Sequence, residues 1–514
     1  MSLDTETDIL IVGAGPTGLV LALWLAHWGV RVRIIDKTQE PGRTSRALAV
    51  QARTLELYAQ IGLADAVMER SRAAVAANLW VTGKKRAYLA FGDMGAGISP
   101  YPNPVIFPQD EHEPLLIERL SKAGVEVQRS TELLGFETTA DHVVARLRKR
   151  DGTLETCRAA YITGCDGAHS TVRETLGIGF PGGTYEHIFY VADVEATGSV
   201  VNGELHVGLD RSDFLALFPL KEDGRVRLVG TVSDEALTRR EILTWDDVNT
   251  TVMRWMPIEI ARVNWFSTYH VHHRVADRFR KERAFLLGDA AHIHSPVGGQ
   301  GMNTGIGDAV NLAWKLAWVL KRLADKSLLD SYEPERIAFA RRLVKTTDQA
   351  FTAVTSSGPI ARFLRLDIVP ALLPLLFAYK PMRRVLYRTV SQTNVNYRGS
   401  FLSEGYLGIV RGGDRLPWVK TTDIDNYASL TALDWQVHVY GEATVDLRRL
   451  CAGRSLKLQT FAWRREMAHA GLRRDAAYLL RPDGYIAMVE TDGKDGHIAA
   501  YLHTRQTAPM SGLP

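Results

Sequence analysis

The stretch that most constrains this chain lies at its start: DILIVGAGPTGLVLALWLAHWGVRVRIID, residues 8–36. Ile9 to Val12 form a short, unbroken apolar run, the pattern of a strand buried on both faces of a parallel sheet. The chain then passes Gly13, Gly15 and Gly18 and enters an apolar helix, Leu19 to His27. Side chains at those glycines would hold the backbone away from a pyrophosphate seated at the helix N-terminus. Gly29 supplies a helix stop, and Val30 to Ile35 read as a second strand. That strand ends in Asp36, about 20 residues beyond Gly13, where a carboxylate can accept hydrogen bonds from ribose hydroxyls. A lone GxGxxG also occurs in ordinary βα turns. Strand, helix, second strand and terminal acid together point to a dinucleotide site, without separating FAD from NAD.

A chain of 514 residues predicts two to four domains. Its 23% charged and 46% hydrophobic residues are ordinary soluble values, and a net charge of +4 gives no argument for nucleic acid. Cys157, Cys165 and Cys451 form no CxxC pair and no metal-ligand spacing, which suits a reducing cytosol. The acidic MSLDTETD start has no signal-peptide character. A cytoplasmic protein without a membrane span is expected. The apolar run Ile368 to Tyr379 is too short to cross a bilayer and contains Pro370 and Pro374. With Arg362, Arg365, Arg383 and Arg384 around it, a packed interdomain helix is expected, with contact to a membrane surface as the alternative.

A second signature lies downstream in RAFLLGDAAHIHSPVGGQGMNTGIGDAVNLAWKL, residues 283–316. Ala284 to Leu287 read as a strand that ends at Gly288-Asp289. The glycine-rich segment Pro296 to Gly301 then leads into a long helix reaching about Leu323, with Leu312, Leu316, Val319 and Leu323 on one face. Asp289 would sit at a strand's carboxyl end, where ligands collect in open α/β sheets, and could bind a polyol such as ribityl. The helix start near Gly301, Met302 and Asn303 presents free N–H groups and partial positive charge, a place for a ring that becomes anionic on reduction.

Taken together, these residues resemble the class A flavoprotein aromatic hydroxylases, relatives of p-hydroxybenzoate hydroxylase and phenol hydroxylase. Three fingerprints match in order: GAGPTG at 13–18 with Asp36, where the family more often has Glu; TGCDGAHSTVR at 163–173, similar to the DG motif; and GDAAHIHSPVGGQGMNTGIGDA. RTSRALAVQARTLE and FPQDEHEPLL also match. The resemblance covers roughly residues 8–399. It implies FAD bound by Gly13, Gly15, Pro16, Thr17, Gly18, Asp36, Lys37, Arg46, Gln109, Asp166, Asp289, Pro296, Gly299, Gly301, Met302 and Asn303. It further implies catalytic parts for Pro296, beside the oxygen side of the flavin, and for Arg46. NADPH or NADH should dock on the FAD domain, since GDMGAG at 92–97 runs into a proline-rich stretch and cannot open a second nucleotide helix. Arg43, Arg46 and Arg173 are candidate phosphate contacts.

The expected architecture is α/β. A Rossmann-like FAD-binding domain (1–177 and 276–397) carries an inserted antiparallel-sheet substrate domain (178–275), and a thioredoxin-like C-terminal domain (398–514) follows. The 178–275 region alternates or is wholly apolar between Gly, Asp and Asn, as antiparallel strands do. Tyr190, Phe214, Phe218 and Tyr269 are substrate-lining candidates there. His187 and His206 are candidate bases, although core packing is the commoner fate of such residues. YHVHH at 269–273 lacks a third ligand for a metal. After Val395 the chain reads as a linker, then as strand, helix, strand, helix and a hairpin with a Pro-Asp-Gly turn. Without CxxC this unit cannot exchange dithiols, so a scaffold or homodimer contact is expected.

The resemblance implies hydroxylation of a phenolic or polycyclic aromatic substrate by FAD, NAD(P)H and O2 through a C4a-hydroperoxyflavin. The alternatives are Baeyer–Villiger oxygenation, oxidative dehalogenation or halogenation on the same fold, and a non-catalytic flavin-fold binding protein. RWMPIEI at 254–260 shares only fragments of the halogenase WxWxIP signature. A base that favours the phenolate is required, and the sequence names none.

Overall fold

The computed structural model describes residues 3–42, 47–210, 214–232, 243–248, 251–295, 298–355, 358, 363–490 and 496–505. The N-terminal run forms β1 (Leu3–Val12), which leads through the glycine turn into α1 (Pro16–His27) and then β2 (Val32–Ile35). Helix α1 starts three residues before the apolar run because Pro16 at its first turn already has a helical φ. β1 is central to an eight-stranded sheet, flanked in parallel by β2 and by β3 (Leu154–Gly164). Beyond β3 lies Ala284–Leu286, also parallel. This is the doubly wound half of a mixed α/β fold, and its strand carboxyl ends carry all three fingerprints.

A second eight-stranded sheet contains β4 (Gly182–Thr197), β5 (Phe214–Pro219), β6 (Arg225–Thr231), β7 (Glu259–Val275) and β8 (His292–Ile293). β4 pairs antiparallel with both β6 and β7, and β5 with β6. The sheet does not come from 178–275 alone. Leu205–Leu209 pairs in parallel with Ala76–Val81, which forms a hairpin with Lys84–Ala90 through Thr82 and Gly83, both at positive φ. That hairpin is separated in sequence from its partners by the DG motif, so no local pattern announces the pairing.

Helix α2 (Gly301–Leu320) begins at the flavin-loop glycines and α3 (Tyr332–Thr355) follows it. The sequence predicts one apolar face for α2. Instead the helix is buried nearly all round, from Asn303 to Trp318, including Asp308, Asn311 and Lys315. The apolar run near 368–379 forms a helix, Val369–Ala378, with Val369 and Leu372 exposed. No helix among the described residues is long and apolar enough to cross a membrane.

The C-terminal region has the expected element order: Gln436–Tyr440, Val445–Gly453, Lys457–Phe461, Arg465–His469, then the hairpin Ala477–Leu480/Ile486–Glu490. The reading of the residues after Val395 as a linker needs correction. Tyr397, Leu402, Val410, Leu416, Val419 and Leu430 are buried, and Arg415 makes an ion pair with Glu56 at 2.9 Å. An irregular segment carries no periodicity, yet it can still pack. One buried apolar cluster runs from Ile9 and Leu21 through Trp314 to Trp435, Val437, Leu479 and Leu502, so the C-terminal region shares its core with the first sheet.

Candidate functional site

The three glycines of the first loop do different work. Gly13 has φ +102°, and a Cβ there would lie 2.2 Å from the Cys165 carbonyl oxygen. A Cβ on Gly18 would lie 2.0 Å from the Gly13 carbonyl oxygen. Both positions are closed by packing between strand and helix. Gly15 alone of the three has nothing within 4 Å of its Cβ position among the described residues. It caps α1 without a side chain, so open space stands over the helix N-terminus, where a pyrophosphate fits. Asp36 accepts hydrogen bonds from the Ala14 N–H (2.7 Å), the Thr38 N–H (2.8 Å) and the Thr38 hydroxyl (2.6 Å). Its carboxylate is thereby fixed at the rim of the loop, with one acceptor site left over among the described residues. Lys37 is exposed just beyond it. Arg129, which no sequence motif marks, lies 3.7 Å from Asp36 and has a buried Nη2 with no partner among the described residues. It is an orphaned donor beside the acid at the rim of the loop.

The second loop is tied to the first by close packing. Cβ atoms on Gly288 or Gly305 would lie 2.7 and 2.3 Å from Thr17 Oγ1, so the start of α1 nests against the GD turn and α2. Asp289 is exposed within that turn. Asn303 is fully used as a cross-link. Its Nδ2 donates to the Ala49 and Gly299 carbonyls (2.8 and 2.9 Å), and its Oδ1 accepts from the Gln51 N–H (2.9 Å) and Thr54 hydroxyl (2.7 Å). Only its backbone N–H, with those of Gly301 and Met302, precedes the first intrahelical bond, Thr304 N–H to the Gln300 carbonyl. Gly299 at φ +60° packs 2.9 Å from the Ala49 Cβ, measured from its own Cβ position. Gln109 starts its helix and donates to Glu113 at 2.7 Å.

Behind the loop sits Asp308, fully buried. One oxygen accepts from the Gly288 N–H (3.0 Å) and His292 Nε2 (2.6 Å), and the other from Arg336 Nε (2.6 Å). Burial alone would raise its pKa, but the Arg336 and His292 charges outweigh that and hold it below the usual carboxylate range. An acid flanked in sequence by Ile306, Ala309 and Val310 is the signal that could have found it.

In the DG motif, Asp166 accepts from the Ser170 hydroxyl (2.6 Å) and the Val172 N–H (3.2 Å) at the start of Thr171–Thr175, which Ser170 caps, and burial pushes the Asp166 pKa up. Arg173 is not the surface phosphate contact expected of it. Its Nη1 donates to the Ala290 carbonyl (3.0 Å) and Nη2 to that of Ala168 (2.8 Å), with Phe180 stacked 4.0 Å away. It bolts the DG motif to the GD motif.

The expected aromatic wall divides in two, because alternate residues of a strand face opposite ways. Tyr190 packs with Trp245 and Phe266 on one face. Phe214, Phe218 and Tyr269 lie on the other, with Trp265 and Val191. That second face looks toward the nucleotide loops: Phe218 packs with Leu48 and Ile106, and Arg227 lies 3.5 Å from Asp110, next to Gln109. Arg227 also pairs bidentately with Asp193 at 2.6 and 2.7 Å, a buried pair that nothing local in the sequence marks. His206 is no base. Its Nδ1 accepts from Trp80 (3.0 Å) and its Nε2 faces Asn202 Oδ1 (3.0 Å), while burial lowers its pKa to about 4. Arg43, Arg46, Pro296 and the side chain of His187 lie outside the described residues.

The open glycine cradle at Gly15, the helix N-terminus behind it and the acid fixed at the end of β2 define an α/β nucleotide-binding protein. The family described as "FAD binding domain" matches residues 6–347. The 6-methylpretetramide 4-monooxygenase of Streptomyces rimosus is 37% identical over 386 residues, 73% of this chain and 67% of that protein. Pentachlorophenol 4-monooxygenase of Sphingobium chlorophenolicum is 30% identical over 430 residues, 80% of this chain and 76% of the other. The structure of OxyS anhydrotetracycline hydroxylase from Streptomyces rimosus superposes with a TM-score of 0.79 at 28% identity, covering 98% of this chain and all of that one. The chain belongs to the class A FAD-dependent aromatic hydroxylases, and it is a flavoprotein monooxygenase.

Proposed function

We propose that the protein hydroxylates a phenolic, polycyclic aromatic substrate seated between the nucleotide loops and the sheet face carrying Phe214, Phe218, Trp265 and Tyr269. The observation that carries this reading is that face: broad, aromatic and turned toward Leu48 and Gln109. Its breadth and the anhydrotetracycline named for the structural relative both favour a fused-ring substrate over a small phenol. FAD supplies hydride acceptance and oxygen activation, with NADPH or NADH as donor.

The chain's own residues do the rest. Gly15 leaves room for the pyrophosphate at α1, Asp36 and Arg129 flank the ribose, and Asp289 meets the ribityl chain. The first N–H groups of α2 oppose negative charge on the ring, which lowers the energy of its reduced form. The aromatic face keeps water from the reacting centre. In this reading residues 1–177 and 276–397 form the FAD-binding domain, 178–275 the core of the substrate sheet, and 398–514 a thioredoxin-like unit that scaffolds the first or supports a homodimer. A cytoplasmic location and surface docking of the nicotinamide belong to the same proposal.

Product mass is the test. FAD-loaded protein is incubated in air with NADPH or NADH and either anhydrotetracycline-type polycycles or simple phenols. One added oxygen on a polycycle, with substrate-stimulated nicotinamide oxidation, is the expected result. Turnover of small phenols alone would overturn the fused-ring assignment. Halogenated or ring-expanded products would overturn hydroxylation itself.

A further inference from the structure

Strand alternation divides YHVHH at 269–273 between the two faces of the second sheet. His272 pairs through Nδ1 with the Thr184 hydroxyl at 2.7 Å. Tyr269, Val271 and His273 point the other way, and the first two cluster with Phe189 and Phe214 at the proposed substrate face. Tyr185 joins that cluster from β4. Its ring lies 4.7 Å from the His273 imidazole, which fills the space over Gly183 that a side chain would otherwise take. The Tyr185 hydroxyl donates to Oδ1 of Asp348 on α3, and His273 Nδ1 stands 3.9 Å from the same oxygen. A phenol, a carboxylate and an imidazole from three elements thus meet at one edge of the aromatic face.

His273 Nδ1 is shielded from water and has no hydrogen-bond partner among the described residues. The His273 and Asp348 side chains as wholes remain 31% and 40% exposed, so the cluster is open on one side. Helix α3 also ties it to the nucleotide loops. The Ser295 hydroxyl donates to the Thr347 carbonyl at 3.4 Å, one residue from Asp348 and, in the chain, one residue before Pro296. A ring resting on Phe214 and Tyr269 therefore has Tyr185 at its edge. Burial and the neighbouring Asp348 push the Tyr185 pKa up, so this hydroxyl stays protonated and is not the final base. It can still pass a proton, since its oxygen accepts while its own hydrogen is donated. An imidazole is the side chain suited to hold a proton near neutral pH.

We propose that Tyr185, Asp348 and His273 form the relay that withdraws the phenolic proton of the substrate. The substrate O–H bond breaks as its proton bonds to the Tyr185 oxygen. The tyrosine's own proton passes to Asp348 Oδ1 and on to His273 Nδ1. The electron pair of the broken bond stays on the substrate oxygen, leaving the electron-rich phenolate that hydroxylation needs. The half-exposed imidazole then gives a proton up to solvent. Tyr185 touches the substrate, and Asp348 and His273 act through it. The inference rests on the hydroxylase reading and supplies its missing base.

The test uses FAD-loaded wild type, Tyr185→Phe, Asp348→Asn and His273→Gln with NADPH in air. Anhydrotetracycline and 2-naphthol are the probes, and product rate is taken on whichever wild type oxygenates. It is measured at neutral pH and again above the pKa of the free probe's phenol. Each variant should lose about a hundredfold at neutral pH, the low end of what positioned proton transfer contributes. The loss should shrink toward wild type at the higher pH, where solvent has already removed the proton. Asp348→Asn discriminates most sharply. Its amide oxygen still accepts from Tyr185, so a merely structural contact survives while proton passage stops. Thermal melts of the four proteins should stay close, because the replaced groups are partly exposed. A wild-type rate at neutral pH in Tyr185→Phe or Asp348→Asn would overturn the relay, and so would a loss equal at both pH values. Wild type that oxygenates neither probe would sink the hydroxylase reading and the relay with it, an outcome distinct from normal wild-type turnover with unaffected variants.

Discussion

Replacing Asp308 with Asn removes one charge and almost no volume, at a position that no cofactor need touch. In the native protein the carboxylate is fully buried and bonded to the Gly288 N–H, His292 and Arg336. Arg336 is itself only 2% exposed, and Asp308 is the carboxylate it pairs with. The neutral amide leaves that guanidinium without this counter-charge in the interior, a loss of about 3–5 kcal/mol. At about 2.1 cal/mol/K of unfolding entropy per residue over 514 residues, about 4 kcal/mol lowers Tm by about 4 °C if the chain unfolds as one unit. The same change frees the Gly288 turn and His292, which bracket Asp289, so FAD should dissociate faster than the melting shift alone explains. Calorimetry of apo- and holoprotein, with flavin counted after dialysis, separates the two effects. The folded pKa of Asp308 is depressed, so its stabilisation is present above the unfolded value and is lost as pH falls through the folded one. Wild type and Asp308→Asn should therefore converge in stability at strongly acid pH. A variant that melts within about 1 °C of wild type, on the scale of the entropy used above, and keeps its FAD would refute the reasoning.

The loop glycines should separate fold from binding: Gly15→Val has room and should melt normally but fail to retain FAD, whereas Gly18→Ala meets the Gly13 carbonyl and should destabilise the fold itself, read by circular dichroism. The two sheet faces should separate likewise. Tyr190→Ala should cost about 3–5 kcal/mol of stability without changing substrate preference, and Phe218→Ala should alter KM across an aromatic panel. Burial holds His112 and His438 at about 3 and His206 at about 4, below the unfolded value of about 6.5. In the window between those values the unfolded chain binds more protons, so urea midpoints should fall steadily from about pH 6.5 toward about 4, by up to about 1.4 kcal/mol per pH unit for each histidine. A flat profile across that window would count against buried neutral imidazoles.

What the sequence determined by itself was local. The βαβ run at 8–36, the GD turn with its helix and the C-terminal strand–helix order are each encoded within short contiguous stretches, where period and glycine placement suffice. That is why the places of Gly15 at a helix start, Asp36 at a strand end and Asp289 in the GD turn are legible in the sequence alone. The tertiary structure decided everything that depends on residues distant in sequence. It brought 76–90 into the second sheet, turned Tyr190 away from Phe218, and made Arg173 a bolt between two motifs rather than a phosphate contact. It also supplied the surroundings that give Arg129 and Asp308 their meaning. A charged or polar side chain in an apolar run has no readable role until its partner is known. Burial then makes that partner compulsory, because an unpaired group in the interior costs more than the fold can spare.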